Sequence, residues 1–171
     1  MRARHLTSRF FGSLRPGGPG ADAERWVADV LSAEELELWR RMSGADRRHA
    51  HGVAKRVERS LGNEATAPVL AAALLHDVGK VDADLGTYGR VIATLSAAVA
   101  GREHAELWRS RSGFTRKVGL YLLHPDLGGD QLALAGSDPL TISWARQHHL
   151  PEDQWTVPAA IGRALRDADD D

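Results

Sequence analysis

Apolar residues recur along the chain at the three- and four-residue spacing of amphipathic helices. After a glycine- and proline-rich breaker at residues 16–20, for example, Trp26, Val27, Val30 and Leu31 follow this spacing. No stretch alternates between apolar and polar residues as a half-buried strand does, and the Asn-Gly and Asp-Gly turns typical of hairpins do not occur. The pattern predicts an all-α fold, a compact bundle of several helices.

Capping and breaking residues divide this pattern into helices. Ser32 and Glu35 are spaced as a capping box, Gly44 ends the helix that follows, and Asp46 is expected to cap the next one. The segment 64–79 is apolar almost all round, which is typical of a helix in the middle of a domain. Further helices are predicted over residues 21–31, 46–62, 90–100, 115–123, 127–135 and 139–149 (capped by Ser137 or Asp138), and from residue 157 to the acidic tail.

Composition and charge narrow the class of protein. The chain has 171 residues, of which 43% are hydrophobic, and its formal net charge is −1. These values are typical of one soluble domain, and the net charge gives no electrostatic attraction for a nucleic-acid duplex or an anionic membrane surface. No apolar run reaches the roughly 18 residues of a membrane span. Residues 1–20 carry four arginines and no acid and are predicted to be a basic flexible leader, while residues 21–171 form the domain. The absence of cysteine fits a cytoplasmic protein, and the abundance of alanine, arginine, glycine and aspartate is typical of a GC-rich bacterial genome.

Histidine and aspartate supply the candidate chemistry. Without cysteine, any metal must be bound by histidine, acidic residues or water. His76 and Asp77 end the most hydrophobic helix, where burial of such a pair is costly unless a partner compensates its polarity. The dipeptide alone carries no weight, because composition predicts about 0.7 copies by chance. Its weight comes from residues on other elements, mostly near helix ends, that can converge with it on one divalent-metal site: His49, His124, His148, His149 and Asp169.

These residues form motifs that resemble those of the HD superfamily of metal-dependent phosphohydrolases. That superfamily has a His, then His-Asp, then Asp, all on helices. Here the pieces read His49-Ala-His-Gly-Val53-Ala54, Leu74-Leu75-His76-Asp77-Val78-Gly79-Lys80 and Arg166-Asp167-Ala168-Asp169. The likeness covers residues 46–171. It implies an HD-type helical hydrolase domain over residues 21–171, with one or two divalent ions (Fe, Mn, Ni, Co, Zn or Mg) as cofactors.

Additional histidines make the chain similar to the branch that includes the HD-GYP domains. That branch adds a lysine, a His-Pro-x-x-Gly element and a His-His pair, which correspond here to Lys80, to His124-Pro125-Asp126-Leu127-Gly128 and to His148-His149. After His149 the chain reads Leu-Pro-Glu-Asp-Gln-Trp and lacks the Gly-Tyr-Pro that marks cyclic-dinucleotide phosphodiesterases. A branch of bis-nucleoside tetraphosphate hydrolases also uses extra histidines. The resemblance therefore implies a small phosphorylated substrate, such as a nucleotide, without identifying it.

The resemblance also implies a role for each matched residue. The metal ligands would be His49, His76, Asp77, His124, His148, His149 and Asp169. Two of these positions have an alternative. His49 is favoured over His51, because Val-Ala follows it at the family's spacing and His51 lies about 200° round the helix. Asp169 is favoured over Asp167 by the Ala-Asp pattern.

Lysine and arginine are the candidate partners of the substrate phosphate. In the implied mechanism a metal-activated water attacks phosphorus, with Asp77 and Lys80 as catalytic residues. Lys80, one helical turn after His76, could hold a phosphate oxygen or assist proton transfer; the alternative is a surface lysine favoured by the helix dipole. Arg90 opens a helix after a glycine-containing loop, and Arg146 lies one turn before the histidine pair. For Arg146 a surface salt bridge is the alternative.

Three functions are compatible with these motifs. The first is a metal-dependent phosphohydrolase that cleaves a phosphoester. The second is a catalytically weak or inactive metal-binding regulatory module, for which the missing Gly-Tyr-Pro and the short acidic C-terminus leave room. The third is a structural helical domain whose core histidines are satisfied by hydrogen bonds. The motifs together favour the first.

Overall fold

The computed structural model describes residues 17–83, 85 and 102–171. These residues form nine α-helices and no β-strand, so the predicted all-α class is confirmed. The helices are α1 (Ala21–Val30), α2 (Ala33–Arg41), α3 (Gly44–Leu61), α4 (Ala67–Leu75), α5 (Arg102–Arg109), α6 (Gly113–Leu122), α7 (His124–Leu134), α8 (Pro139–Gln147) and α9 (Ala159–Asp170). The leader up to residue 16, the helix predicted at 90–100 and Arg90 lie outside the described residues. No described helix is long and apolar enough to cross a bilayer.

Helix α4 is the centre of the bundle. Every residue from 69 to 75 is buried, as expected for a segment that is apolar almost all round. Helices α3 and α8 both pack against α4, and α9 packs against α3. Complete burial of Leu74 and of Leu75 stabilises this arrangement by about 2 kcal/mol for each side chain. The ends of several helices are therefore held around the C-terminal end of α4.

Helix α4 ends at Leu75, four residues before the predicted limit at residue 79. His76 and Asp77 form a turn, and Val78–Ala83 continues as a 3-10 helix. The backbone N–H of Lys80 donates to the carbonyl of Asp77 at 3.0 Å, the three-residue step of this tighter helix. The four-residue repeat expected to relate Lys80 to His76 is therefore absent, and the Lys80 ammonium pairs with the Asp77 carboxylate instead.

Most other helix boundaries follow local capping chemistry. Ser32 and Glu35 form a capping box, which confirms that prediction. The prediction that Asp46 caps α3 is wrong: the helix begins two residues earlier, and Ser43 caps it by accepting the Asp46 amide at 3.1 Å. Asp138, one of two predicted candidates, caps α8. Short 3-10 helices also occur at Gly62–Glu64 and Glu152–Gln154.

A glycine allows the turn after α4 to touch the start of α7. Helix α7 begins at His124, three residues before its predicted start, with Pro125 accommodated in its first turn. A Cβ atom on Gly79 would lie 2.1 Å from the carbonyl oxygen of His124 and 2.6 Å from the amide nitrogen of Gly128. Since only glycine lacks that atom, this close backbone contact requires it. The contact brings residues 76–77 beside His124.

Candidate metal centre

The predicted ligands that meet in the structure come from five helices. They meet because α3 and α8 pack on α4, α9 packs on α3, and α7 packs on both α8 and the turn after α4. The residues are His49 on α3, His76 and Asp77 directly after α4, His124 at the start of α7, His148 directly after α8, and Asp169 on α9. Tertiary packing thus assembles residues that are separated by up to 120 positions in the chain.

Asp77 lies in the middle of three imidazoles. Its Oδ1 atom is 3.3 Å from Nε2 of His124 and 3.7 Å from Nε2 of His148. Its Oδ2 atom is 3.4 Å from Nε2 of His76 and also bonds to the ammonium of Lys80. One buried carboxylate is therefore shared by side chains from α7, α8 and the end of α4.

Asp169 is the second carboxylate of the cluster. Its Oδ1 atom lies 2.7 Å from Nε2 of His49 and 3.6 Å from Nε2 of His76. The alternative Asp167 is exposed. The alternative His51 packs edge-on against the ring of Trp26, with 5.5 Å between the ring centroids. For both open positions, these contacts place the favoured residue in the cluster.

The imidazole rings are oriented by backbone carbonyls. Nδ1 of His76 donates to the carbonyl of Ala73 at 3.0 Å, since a carbonyl oxygen can only accept. The other two buried rings repeat this bond to the residue three positions earlier: His124 to Tyr121 at 2.6 Å and His148 to Ala145 at 2.9 Å. In the neutral ring, each Nε2 is then left with its lone pair facing the cluster. This carbonyl-to-imidazole arrangement is common in the outer shell of metal sites.

Four polar atoms at the centre are buried and form no hydrogen bond with any residue that the structure describes. They are Nε2 of His76, of His124 and of His148, and Oδ1 of Asp77. An unsatisfied buried polar atom costs roughly 1–3 kcal/mol, so four together need a compensating partner. Divalent cations bound to the nitrogen lone pairs and to the carboxylate oxygen would satisfy these atoms, and the donor set suits Mn, Fe, Co, Ni or Zn.

The ligand atoms fall into two groups, each with its atoms within 4.8 Å of one another. One group is His49, His76 and Asp77, and the other is His124, His148 and His149. His149 is exposed, but its ring centroid lies 3.9 Å from that of His148 and 5.3 Å from that of His124. Asp77 contacts members of both groups, so its carboxylate lies between them.

Charge at the centre is balanced against burial. Burial alone would raise the pKa of Asp77, but the neighbouring Lys80 and His76 hold that pKa well below its usual value. Burial likewise opposes a charge on His76, yet the carboxylates of Asp77 and Asp169 outweigh it and raise the pKa of His76 to about 9. The centre thus favours positive charge at the point where Nε2 of His76 meets both carboxylates.

The other two buried imidazoles are held in the neutral form. Burial lowers the pKa of His124, and the nearby Asp77 offsets this only in part. Burial also lowers the pKa of His148, well below the ordinary value, and its histidine neighbours add to the effect. A neutral imidazole is the form that binds a metal, so these two rings need lose no proton to act as ligands.

A cavity of about 270 Å³ adjoins the cluster. His76, His148, His149 and Asp169 line it from the candidate metal centre. The rest of its lining combines apolar and charged side chains: Val53, Trp144, Leu150, Leu165, Arg166 and Asp170. A small anionic ligand in this cavity would lie directly against the predicted metal ligands.

The arginines differ from the sequence-based expectation. Arg146 does not line this cavity; it is exposed and pairs with Asp130 at 2.7 Å, as the salt-bridge alternative proposed. Arg166 lines the cavity and was not selected from the sequence as a phosphate ligand. The available signal was its spacing, because a residue three positions before Asp169 lies on the same side of a helix.

Comparisons of the chain with protein-family models, with curated proteins and with solved structures found no match. Function is therefore inferred from the cluster itself and from the motifs that form it.

Proposed function

We propose that this chain is a metal-dependent phosphohydrolase of the HD type, which cleaves a phosphoester in a small substrate such as a nucleotide. The observation that carries the proposal is the convergence of three imidazole nitrogens without a hydrogen bond on the carboxylate of Asp77, those of His124 and His148 at Oδ1 and that of His76 at Oδ2. A purely structural core would pair these atoms with protein donors or acceptors. The cavity beside them supplies the space that a reacting group needs.

The proposed ligand sets follow the two groups of donor atoms. One cation would be held by His49, His76, Asp77 and Asp169. The other would be held by His124, His148 and His149, with Asp77 shared between the two. The bound cations would activate water as a nucleophile and neutralise the negative charge that develops on the phosphoryl group.

The protein's own groups prepare this centre. The Ala73, Tyr121 and Ala145 carbonyls fix the three buried rings with their Nε2 atoms facing inward. The Lys80 ammonium bonds to Oδ2 of Asp77 and keeps that carboxylate ionised and oriented. Asp77 and Asp169 would repel a phosphate if no cation were bound, so the arrangement favours catalysis that depends on metal. Direct contact of Lys80 with phosphate stays a prediction.

The segment after the histidine pair supports a small substrate over a cyclic dinucleotide. Where HD-GYP domains have Gly-Tyr-Pro, this chain forms the 3-10 helix Glu152–Gln154 and then folds back. The indole N–H of Trp155 lies between the carbonyl oxygens of Gln147 and Leu150, at 3.1 and 3.0 Å. The adjoining cavity of about 270 Å³ lies just below the roughly 300–1,000 Å³ common for ligand pockets.

Metal analysis and hydrolysis of model esters test the proposal together. Protein prepared without a histidine tag should contain about one or two divalent ions per chain, as in other two-metal phosphoesterases. With Mn²⁺, Ni²⁺ or Co²⁺ it should hydrolyse p-nitrophenyl phosphate or bis-p-nitrophenyl phosphate. His76→Ala and Asp77→Ala should lose both metal and activity, whereas His104→Ala, at an exposed histidine, should keep both.

The outcomes separate the three candidate functions. Metal that depends on Asp77, without turnover of any phosphoester, would establish the metal-binding regulatory module instead. The absence of stoichiometric metal, together with unchanged stability in added Mn²⁺, would favour a structural helical domain. Hydrolysis that persists in His76→Ala would show that another part of the chain, or a contaminant, is responsible.

A further inference from the structure

Arg166 lines the cavity beside the candidate metal centre. It lies on α9 three positions before Asp169, and both residues line the cavity. Its side chain is 37% exposed. The other charged side chains that line the cavity from α9 are the carboxylates Asp169 and Asp170. An anionic substrate would therefore need a positive partner on this side of the cavity.

The guanidinium of Arg166 is held in place on two sides. Its central carbon lies 4.7 Å from the ring centroid of Trp155, within the range of a cation–π contact. Its Nη2 atom is 3.4 Å from Oε2 of Glu152, whose other carboxylate oxygen accepts from Arg163. Since guanidinium has five N–H donors and the bond to Glu152 is long, donors remain for a further anion.

The Trp155 ring, which contacts the Arg166 guanidinium, is itself held by residues close to the histidine cluster. The Trp155 ring packs edge-on against Trp144, with 5.2 Å between centroids, and contacts the backbone of Gly162, where a Cβ atom would lie 2.6 Å from the indole. The Thr156 amide donates to the side-chain oxygen of Gln147 at 2.8 Å, one position before His148. The guanidinium is thus preorganised relative to the histidine cluster, which reduces the entropic cost of binding a ligand.

We propose that Arg166 binds a phosphate oxygen of the substrate in this cavity, beside the metal centre. The inference rests on the proposed function and deepens it. A planar guanidinium presents N–H donors that match two oxygens of a phosphate. The substrate class is a compact phosphate ester that fits a cavity of about 270 Å³ lined by Arg166 and by the histidine cluster.

Binding of inorganic phosphate to the metal-loaded protein, measured by calorimetry, tests this role without requiring turnover. Arg166→Met should weaken phosphate binding by at least about tenfold. Arg166→Lys should restore part of the loss, since lysine keeps the charge but lacks the paired N–H donors of the guanidinium. Arg109→Met makes the same charge change at an exposed arginine paired with Glu106 and should stay within twofold of the wild type. Metal content should be equal in all four proteins.

Each other outcome has a definite meaning. Unchanged phosphate affinity in Arg166→Met, or no phosphate binding by the wild type, would overturn the role of Arg166. A loss in Arg146→Met instead would assign the role to the sequence-based candidate and would also overturn it. If the wild type hydrolyses esters and Arg166→Met keeps the same KM, Arg166 is refuted and the proposed function stands. Arg166-dependent phosphate binding without hydrolysis would refute the proposed function alone.

Discussion

His49 and Asp169 meet across the bundle although 120 positions separate them in the chain, with 2.7 Å between Nε2 and Oδ1. The contact joins α3 to α9, two helices that pack against each other and that both contact α4. Nε2 of His76 lies 3.6 Å from the same oxygen of Asp169, so α9 contributes a carboxylate to the candidate metal centre. Asp167, two residues before Asp169 on α9, is exposed.

This difference between two aspartates gives the first prediction. Asp169→Asn should lower both the metal content and the rate of phosphoester hydrolysis by at least about tenfold, the lower end of what even outer-shell partners of a metal contribute. Asp167→Asn makes the same chemical change on the solvent side and should be indistinguishable from the wild type. Metal quantification and initial rates at saturating Mn²⁺ measure both effects. Equal behaviour of the two variants would remove Asp169 from the ligand set.

Gly79 gives a prediction about packing. Gly79→Ala should destabilise the protein by about 1–3 kcal/mol, because the new methyl group would overlap the backbone of His124 and Gly128. It should also lower metal content, since α7 must move away and carry His124 with it. Urea unfolding and metal analysis test both effects.

A second glycine is the matched control for Gly79. Gly52 lies inside α3, and the nearest atom to an added Cβ is the flexible end of Arg56 at 3.4 Å. Gly52→Ala should be neutral or should stabilise the protein by up to about 1 kcal/mol, because alanine favours helix. A Gly79→Ala protein as stable and as metal-rich as the wild type would contradict the close packing described above.

Metal removal should lower thermal stability. A ligand that binds only the folded state at about 100 times its Kd adds about 2.7 kcal/mol. For a chain of this size that corresponds to a rise in Tm of roughly 5–10 °C. Calorimetric scans with excess Mn²⁺ and with a chelator should show this difference in the wild type and in His104→Ala. The same scans should show almost no difference in Asp77→Ala, and a full metal-induced rise in that variant would place the cation elsewhere.

The metal-free protein should be most stable near pH 6.5. The pKa of His76 is about 9 in the folded state and near 6.5 when unfolded, so its contribution is complete below pH 6.5 and is lost as the pH rises towards 9. At 1.36 kcal/mol per pH unit this loss is on the order of 3 kcal/mol. His124 and His148 have lowered pKa values, so below pH 6.5 the unfolded chain gains protons that the folded chain does not, and stability falls.

Urea unfolding of chelator-treated protein between pH 5 and pH 9.5 measures this profile. His76→Gln should flatten the alkaline side, because the titrating ring is gone, and should keep the decline below pH 6.5. A wild-type stability that increases steadily from pH 6.5 to pH 9 would contradict the raised pKa of His76. Metal binding, in contrast, should strengthen as the pH rises, because a cation must displace the proton from His76.

Local patterns were enough to predict much of this protein. The all-round apolar segment gave the buried central helix, the Ser32 and Glu35 spacing gave a capping box, and the helical periodicity gave the all-α class. These features depend on residues a few positions apart, which the sequence displays directly. The His-Asp motif at the end of α4 belongs to the same category, since burial of such a pair already indicates a need for a partner.

Tertiary packing decided what separates neighbouring candidates. The position of Asp169 in the cluster, with Asp167 exposed, depends on how α9 lies against α3, and the presence of Arg166 rather than Arg146 in the cavity lining depends on which face of each helix meets the cavity. Lys80 does not follow His76 at the predicted helical repeat, because α4 ends four residues early in a tighter turn, and Lys80 bonds to Asp77. Helical periodicity predicts which residues share a face of a helix, but it does not predict which element packs against that face. That element comes from a distant part of the chain, and packing of the whole bundle determines it.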